Sequence, residues 1–317
     1  MISPSPFTDT ASAPLAVGKF VDPDRTAKGE RRATVTLGPL QTLWLNTGTL
    51  CNLACKSCYI ESSPRNDALL YLTLDEAERF LDELCEPIEI GFTGGEPLMN
   101  PDIVEMLESA LRRGNRVLVL TNAMRPMRRH EEALRNQADR YLGRMTLRVS
   151  LDHYTQAVHE AERGARSWDK AIDGLLWIAR NYIPHAVAGR QLPSESETEA
   201  RAGYALLFES IGLVLDANDP AALVIFPEMD ATADVPEISE GCWDILGLTP
   251  AIAMCASSRM VVRRKGRPAA EVAACTLLPY DEQFLLGTSL SNARQTVALN
   301  HPHCARFCVL GGASCSG

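Results

Sequence analysis

From Leu43 onward, short and continuously apolar runs alternate with longer stretches in which apolar residues recur every three or four positions. Runs of the first kind predict β-strands buried on both faces, and those of the second predict amphipathic helices. The candidate strands are Leu43–Asn46, Ile88–Phe92, Arg116–Leu120, Thr146–Leu151, His185–Gly189 and Ala222–Phe226. Thr73-Leu-Asp-Glu76 has the form of a capping box. It opens a helix that the pattern carries to Cys85, with Cys85 in the core face beside Phe80, Leu81 and Leu84. Asn100-Pro101 opens a second helix ending at Gly114, and a third follows Asp169 through Arg180. This alternation predicts an α/β fold on a parallel sheet.

The pattern fails at both ends. Residues 1–38 are rich in Ser, Pro, Asp and Arg and read as a loosely ordered N-terminal arm, with a short strand near Thr34–Leu37. Residues 39–230 carry the alternation. Within them the acidic, Ser-rich segment Pro193–Gly203 reads as a mobile loop. Residues 231–317 lose the alternation and hold Cys242, Cys255, Cys275, Cys304, Cys308 and Cys315. Cys242, beside Trp243, is assigned to the core. Arg259–Pro268 reads as a hairpin whose turn is Lys265-Gly266, with a solvated basic tip over Arg263–Arg267. Residue 265 is the midpoint of Cys255 and Cys275, so folding there brings the two thiols together.

With 317 residues, 46% of them hydrophobic, the chain is able to bury one large core, or one core and a small appendage. A net charge of −9 and a pI near 5.3 argue against general binding to nucleic acid or anionic membranes. No apolar run reaches the ~18 residues of a membrane helix. The start Met1-Ile-Ser-Pro-Ser-Pro lacks a basic stretch followed by an apolar one, so no secretory signal is expected and the reading is cytoplasmic. Ten cysteines in a reducing compartment point to metal ligation rather than disulfides.

Three of those cysteines lie in one loop directly after the first strand: Cys51-Asn-Leu-Ala-Cys55-Lys-Ser-Cys58, followed by Tyr59. Cubane iron–sulfur clusters are held by cysteine thiolates, normally four, so a loop of three leaves one iron open. A zinc site is the rival use of such thiolates, though zinc sites usually pair two Cys-x-x-Cys or His elements. After the second strand comes Thr93-Gly94-Gly95-Glu96-Pro97, after the third Thr121-Asn122, and after the fourth Ser150-Leu-Asp152-His153. Beyond these lie His159-Glu160, Arg163-Gly164 and Ser167-Trp168.

These motifs, in this order, resemble the radical S-adenosylmethionine (radical SAM) superfamily. The resemblance implies a partial (β/α)6 TIM-like barrel, open on one side for substrate. It implies a [4Fe-4S] cluster on Cys51, Cys55 and Cys58 whose open iron chelates the methionine end of S-adenosylmethionine. It further implies that Gly94, Gly95, Glu96, Ser150 and Arg163 hold that end and that Thr121 and Asn122 approach the ribose. Relatives carry an aromatic residue where this chain has Ser57, so Tyr59 is the ring offered to the adenine. A 5′-deoxyadenosyl radical then abstracts hydrogen from the substrate, after an electron arrives from a donor such as flavodoxin or ferredoxin. His153, Tyr154, Arg190, Glu228 and Asp230 follow strand ends and are the substrate candidates.

The last cysteines resemble the Twitch or shortened SPASM extensions of the same superfamily, which hold auxiliary iron–sulfur clusters on a small hairpin and cysteine-rich unit. Cys255, Cys275, Cys304, Cys308 and Cys315 supply one such [4Fe-4S] cluster with a thiol to spare, and a four-thiolate zinc site uses the same ligand type. An auxiliary cluster that takes an electron from the substrate gives net oxidation or a cross-link. A spare thiol among Cys304, Cys308 and Cys315 that returns hydrogen gives an epimer. The substrate is a polar small molecule, or a peptide delivered by a separate protein. The reading from another class is a non-catalytic iron–sulfur or zinc protein.

Overall fold

The computed structural model describes residues 4–9, 11–227 and 230–313. In chain order the strands are β1 (Thr34–Val35), β2 (Thr42–Asn46), β3 (Glu89–Thr93), β4 (Arg116–Thr121), β5 (Met145–Ser150), β6 (His185–Arg190), β7 (Leu223–Phe226), β8 (Ser258–Val262), β9 (Glu271–Ala273) and β10 (Val297–Ala298). The helices are α1 (Leu74–Leu81), α2 (Ile103–Arg112), α3 (Arg125–Arg128), α4 (Glu131–Arg140), α5 (Gln156–Arg163), α6 (Trp168–Arg180), α7 (Glu197–Ser210) and α8 (Cys242–Leu246). One sheet of eight strands runs β7-β6-β5-β4-β3-β2-β8-β9. From β7 to β8 every neighbouring pair is parallel, and β9 returns antiparallel to β8.

The six expected strands are all present, within a residue or two of their sequence limits. Leu43, Trp44 and Leu45 of β2 are fully buried, as a strand covered on both faces requires. Parallel strands need crossovers, and consecutive strands from β2 to β7 lie side by side, so every loop at their carboxyl ends opens on one side of the sheet.

The hairpin around residue 265 is β8–β9. It does not stand apart: β8 is hydrogen-bonded to β2, pairing Thr42 with Ser258 and Leu45 with Val261. Its basic tip is tied down, with Lys265 Nζ 2.6 Å from Asp67 and Arg263 Nε 2.8 Å from Glu76. The amino-terminal arm is also packed. β1 pairs with β10, Phe7 is fully buried, and Arg32 is buried against Glu237 at 2.6 Å.

Four local expectations are corrected. α1 has its capping box but stops at Leu81, so Cys85 falls beyond the helix face and is exposed. The segment Pro193–Gly203 is not a loop throughout: Ser196 accepts from the Glu199 amide and Glu199 from the Ser196 amide, a capping box that starts α7. Cys242 is half-buried on α8 rather than in the core. Asn100 does not cap α2; its side-chain amide bonds the carbonyls of Thr47 and Leu72, and Asp102 takes the N-cap position.

Candidate active site

The loops that leave β2 to β7 enclose a cavity of about 1090 Å³, open mouth included. Cys51, Cys55 and Cys58 line it together with Tyr59, Gly94, Gly95, Thr121, Asn122, Ser150, Arg163 and Arg190. Residues separated by more than a hundred positions thus share one wall, as a parallel sheet with its loops on one side dictates.

The cysteine loop is held from beneath by the glycine pair. The Gly95 amide bonds the Gly48 carbonyl at 2.8 Å, and the Glu96 amide bonds the Leu50 carbonyl at 3.2 Å. A Cβ on Gly94, whose φ is +133°, would stand 2.5 Å from the Gly48 oxygen, and one on Gly95 2.3 Å from the Leu50 oxygen. Only glycines allow this approach. Backbone amides turn toward two of the sulfurs, Leu53 N–H to Cys51 Sγ and Ser62 N–H to Cys58 Sγ. Burial pushes the Cys51 thiol up to about 12 and Cys55 up to about 11, the latter against the pull of Arg163.

Glu96 does not line the cavity. It is 2% exposed, and its carboxylate accepts from Thr121 Oγ1 and the Asn122 amide, both at 2.8 Å. Burial raises its pKa, and these bonds oppose the rise. Glu96 therefore fixes the Thr121–Asn122 turn, and Asn122 Nδ2 reaches back to Asn52 Oδ1 in the cysteine loop at 2.9 Å. Ala123, where the superfamily motif has glycine, sits in the left-handed region at φ +56°.

Arg163, at the end of α5, donates Nε and Nη2 to the two carboxylate oxygens of Asp152 at 2.7 and 3.1 Å. Against the cost of burial, Arg163 holds the Asp152 carboxyl below its ordinary range. Both residues line the cavity beside Ser150.

Sequence reasoning passed over Glu162. It is buried, and its Oε1 accepts from both the amide and the hydroxyl of Ser57 at 2.8 Å, while Oε2 accepts from Ser5 Oγ at 2.6 Å. Arg190 also donates to Ser57 Oγ, lies 3.6 Å from Glu162, and stacks its guanidinium 4.2 Å over the Phe7 ring. A polar knot thus occupies the place of the missing aromatic residue. The only signal for Glu162 was its position beside Arg163.

The substrate candidates divide. Arg190 reaches the cavity. His153 is buried, stacks on Tyr154 at 4.1 Å, and places Nε2 3.7 Å from Glu195; Tyr154 donates to Glu195 at 2.5 Å. Neither lines the cavity. Asp230 is engaged with its own turn through Thr232, and Glu228 lies outside the described residues.

The second cysteine group gathers from distant segments. Cys255 precedes β8, Cys275 follows β9, and Cys304 and Cys308 lie in the π-helical turn Cys304–Val309. Cys275 interacts electrostatically with Cys308, Cys304 and Cys255. Burial pushes Cys255 up to about 11 and raises Cys275 and Cys304 as well. Cys315 lies outside the described residues. Leu277 and Phe307, neighbours of these thiols, line the first cavity, where Phe307 stacks on Phe226 at 5.7 Å. Among the described residues no three His, Cys, Asp or Glu side chains converge as a single-ion site demands. A cubane, which takes each thiolate on a separate iron, needs no such convergence.

Residues 45–198, which span the cysteine loop and every cavity residue up to Arg190, match the family model described as Radical SAM superfamily. The cysteine loop at the carboxyl end of the parallel sheet falls inside that match. Among curated proteins, the antilisterial bacteriocin subtilosin biosynthesis protein AlbA of Bacillus subtilis (strain 168) is 30% identical over 118 residues, 37% of this chain and 25% of that protein. The mycofactocin maturase MftC of Mycobacterium tuberculosis is 32% identical over 131 residues, 41% and 32% of the two chains. An AdoMet-dependent heme synthase of Methanosarcina barkeri is 35% identical over 144 residues, 43% and 38%. The chain thus spans less than half the length of each of these relatives. Among solved structures, anSMEcpe with bound AdoMet superposes with a TM-score of 0.57 at 13% identity, covering 84% of this chain and 83% of that one. Streptococcus suis SuiB bound to S-adenosylmethionine gives 0.55 at 13% identity, over 78% and 63%. These two share the fold.

Proposed function

We propose that the chain is a radical SAM enzyme built on a partial (β/α)6 barrel, with Cys51, Cys55 and Cys58 holding a [4Fe-4S] cluster. The observation that carries the proposal is the meeting of three thiols, a glycine pair and the Asp152–Arg163 fork on one cavity. Bound there, the cluster and S-adenosylmethionine would supply one-electron radical chemistry directed at a substrate hydrogen. The chain supplies the rest. Gly94 and Gly95 bring backbone close to the methionine end, and Ser150 and Arg163 meet its carboxylate, Arg163 keeping Nη1 for it while Asp152 holds the other edge. Glu96 sets Thr121 and Asn122 toward the ribose, Tyr59 offers a ring to the adenine, and Phe226 and Phe307 exclude water.

Cys255, Cys275, Cys304 and Cys308 hold a second [4Fe-4S] cluster in a C-terminal unit. With Cys315 as a fifth thiol, one of Cys304, Cys308 and Cys315 is to spare. Net oxidation or cross-linking through the second cluster is the leading reading; epimerisation, with a spare thiol among Cys304, Cys308 and Cys315 returning hydrogen, is the second. The names of AlbA and MftC support a peptide substrate, and the charged groups of Arg190, Arg163 and Asp152 on the cavity wall leave a polar small molecule as the other candidate. The enzyme works in the cytoplasm with a flavodoxin- or ferredoxin-like donor. A non-catalytic iron–sulfur or zinc protein has no use for a glycine pair and an arginine fork beside the thiols.

Anaerobic reconstitution, reduction in the presence of S-adenosylmethionine and chromatography for 5′-deoxyadenosine test the proposal. Formation by the wild type and none by Cys55→Ala is the expected result. A reduced, iron-loaded wild type that never forms the nucleoside overturns it.

A further inference from the structure

Two arginines in this chain are buried to 1% exposure, and different groups answer their charge. Arg32 has a carboxylate, Glu237, 2.6 Å from Nη2. Arg259, on β8, has only carbonyls: Nε bonds that of Ala293 at 2.8 Å, and Nη1 those of Cys255 at 2.6 Å and Ser258 at 2.8 Å. Its Nη2 is buried with no hydrogen-bond partner. The charged or ionisable groups that act on it are the thiols of Cys255 and Cys275 and the exposed cation of Arg294. Among the described residues no carboxylate faces it.

A guanidinium stays protonated at any pH a protein meets. A buried cation without a counter-charge is one of the costliest arrangements in a fold. Something anionic therefore belongs beside Arg259, and the residues it touches say where. We propose that Arg259 is the counter-charge of an anionic iron–thiolate cluster on Cys255, Cys275, Cys304 and Cys308, and that it sets the reduction potential of that cluster. This rests on the second-cluster reading above. Four thiolates outweigh the charge of a four-iron core, so the loaded group is an anion, and reduction makes it more so. A fixed cation favours the reduced form and raises the potential. The same side chain clamps the Cys255 carbonyl, so it positions a ligand as well, and Nη2 is the donor left over for the cluster.

The test uses the full chain, reconstituted without oxygen, as wild type, Arg259→Lys and Arg259→Gln. Iron per chain is counted, and both clusters are titrated by electron paramagnetic resonance, the first serving as internal reference. Arg259→Gln shifts the second cluster toward its oxidised form by about tenfold or more, ~59 mV for one electron, and leaves the first unmoved. Arg259→Lys restores most of the shift. Loss of the second cluster from the Gln variant and its retention by the Lys variant also support the proposal. An unchanged potential in Arg259→Gln overturns it. So does a loss shared equally by Lys and Gln, which marks Arg259 as a carbonyl clamp alone. A wild type holding only one cluster's iron removes the second-cluster reading and this proposal with it, and shows itself before any substitution is made.

Discussion

The two cysteine groups differ in how the chain brings their thiols together. The first is contiguous: eight residues on one loop carry all three, and a glycine pair fixes the loop from below. The second joins the flanks of a hairpin to a π-helical turn some thirty residues on. Their arginines differ in the same sense. Arg163, beside the first group, is forked onto Asp152. Arg259, beside the second, has no carboxylate among the described residues. The first site is thus charge-balanced before any cofactor arrives, and the second is not. A pre-balanced site keeps its shape through cycles of ligand entry and exit, whereas an unbalanced one suits a group that stays.

The largest expected contrast is catalytic. Cys51→Ala, Cys55→Ala or Cys58→Ala should abolish 5′-deoxyadenosine formation, because in the proposed enzyme the cluster on these thiols would pass the electron to the cofactor. Cys275→Ala or Cys304→Ala removes one cluster's iron yet leaves cofactor cleavage within about tenfold of wild type. Equal loss of cleavage from both sets would erase the division of labour.

Next in size is Asp152→Asn, which strands Arg163 in a largely buried place. Breaking such a pair from one side costs about 3–5 kcal/mol. Urea unfolding should register it as a lower midpoint at unchanged slope. Restoration by Asp152→Asn/Arg163→Met to within about 1.5 kcal/mol of wild type would show that the stranded charge, not lost packing, is responsible.

Both regions also bury a histidine. Burial, then the Arg163 charge, pushes His159 down to about 4, and burial, then His301, does the same to His303. An unfolded histidine titrates near 6.5. Between pH 6.5 and 4 the unfolded chain therefore binds more protons, and stability falls as pH drops through that window. Each histidine contributes at most about 3 kcal/mol to the fall. His159→Phe should flatten roughly half of this slope, read from urea midpoints at pH 7 and pH 5. An unchanged slope would place the acid sensitivity elsewhere.

The same contrast governs what the sequence discloses. Parallel strands buried on both faces announce themselves as apolar runs, so β2 to β7 were legible, and the contiguous motifs carried by their loops followed. α7 was missed because acidic Ser-rich composition suggested a loop, although Ser196 and Glu199 already had the spacing of a capping box. Cys85 was misplaced because helical periodicity continued past the Asp82 cap where the backbone does not. Glu162 and Arg259 were illegible for a deeper reason. Their partners lie on other segments, Ser57 and Ser5 for one, Ala293 for the other, and no local pattern encodes a contact across that distance.

Glu162 supplies the smallest effect and the finest cut between the two groups. Its carboxylate takes the Ser57 amide and hydroxyl, so it pins the segment between Cys55 and Cys58. Glu162→Gln keeps the shape and an acceptor but replaces charged hydrogen bonds with neutral ones and removes the charge 3.6 Å from Arg190, a change of about 1–2 kcal/mol. Because the Ser57 segment lies between two proposed ligands of the first cluster, Cys55 and Cys58, the loss should fall on that cluster. Iron should leave the first site several-fold faster under a chelator, while the second cluster's release rate stays that of wild type. Equal acceleration at both sites would mean that Glu162 merely supports the fold. Acceleration at neither would mean that the glycine pair alone holds the loop, and that the polar knot under Phe7 is a substitute for the aromatic ring in packing only.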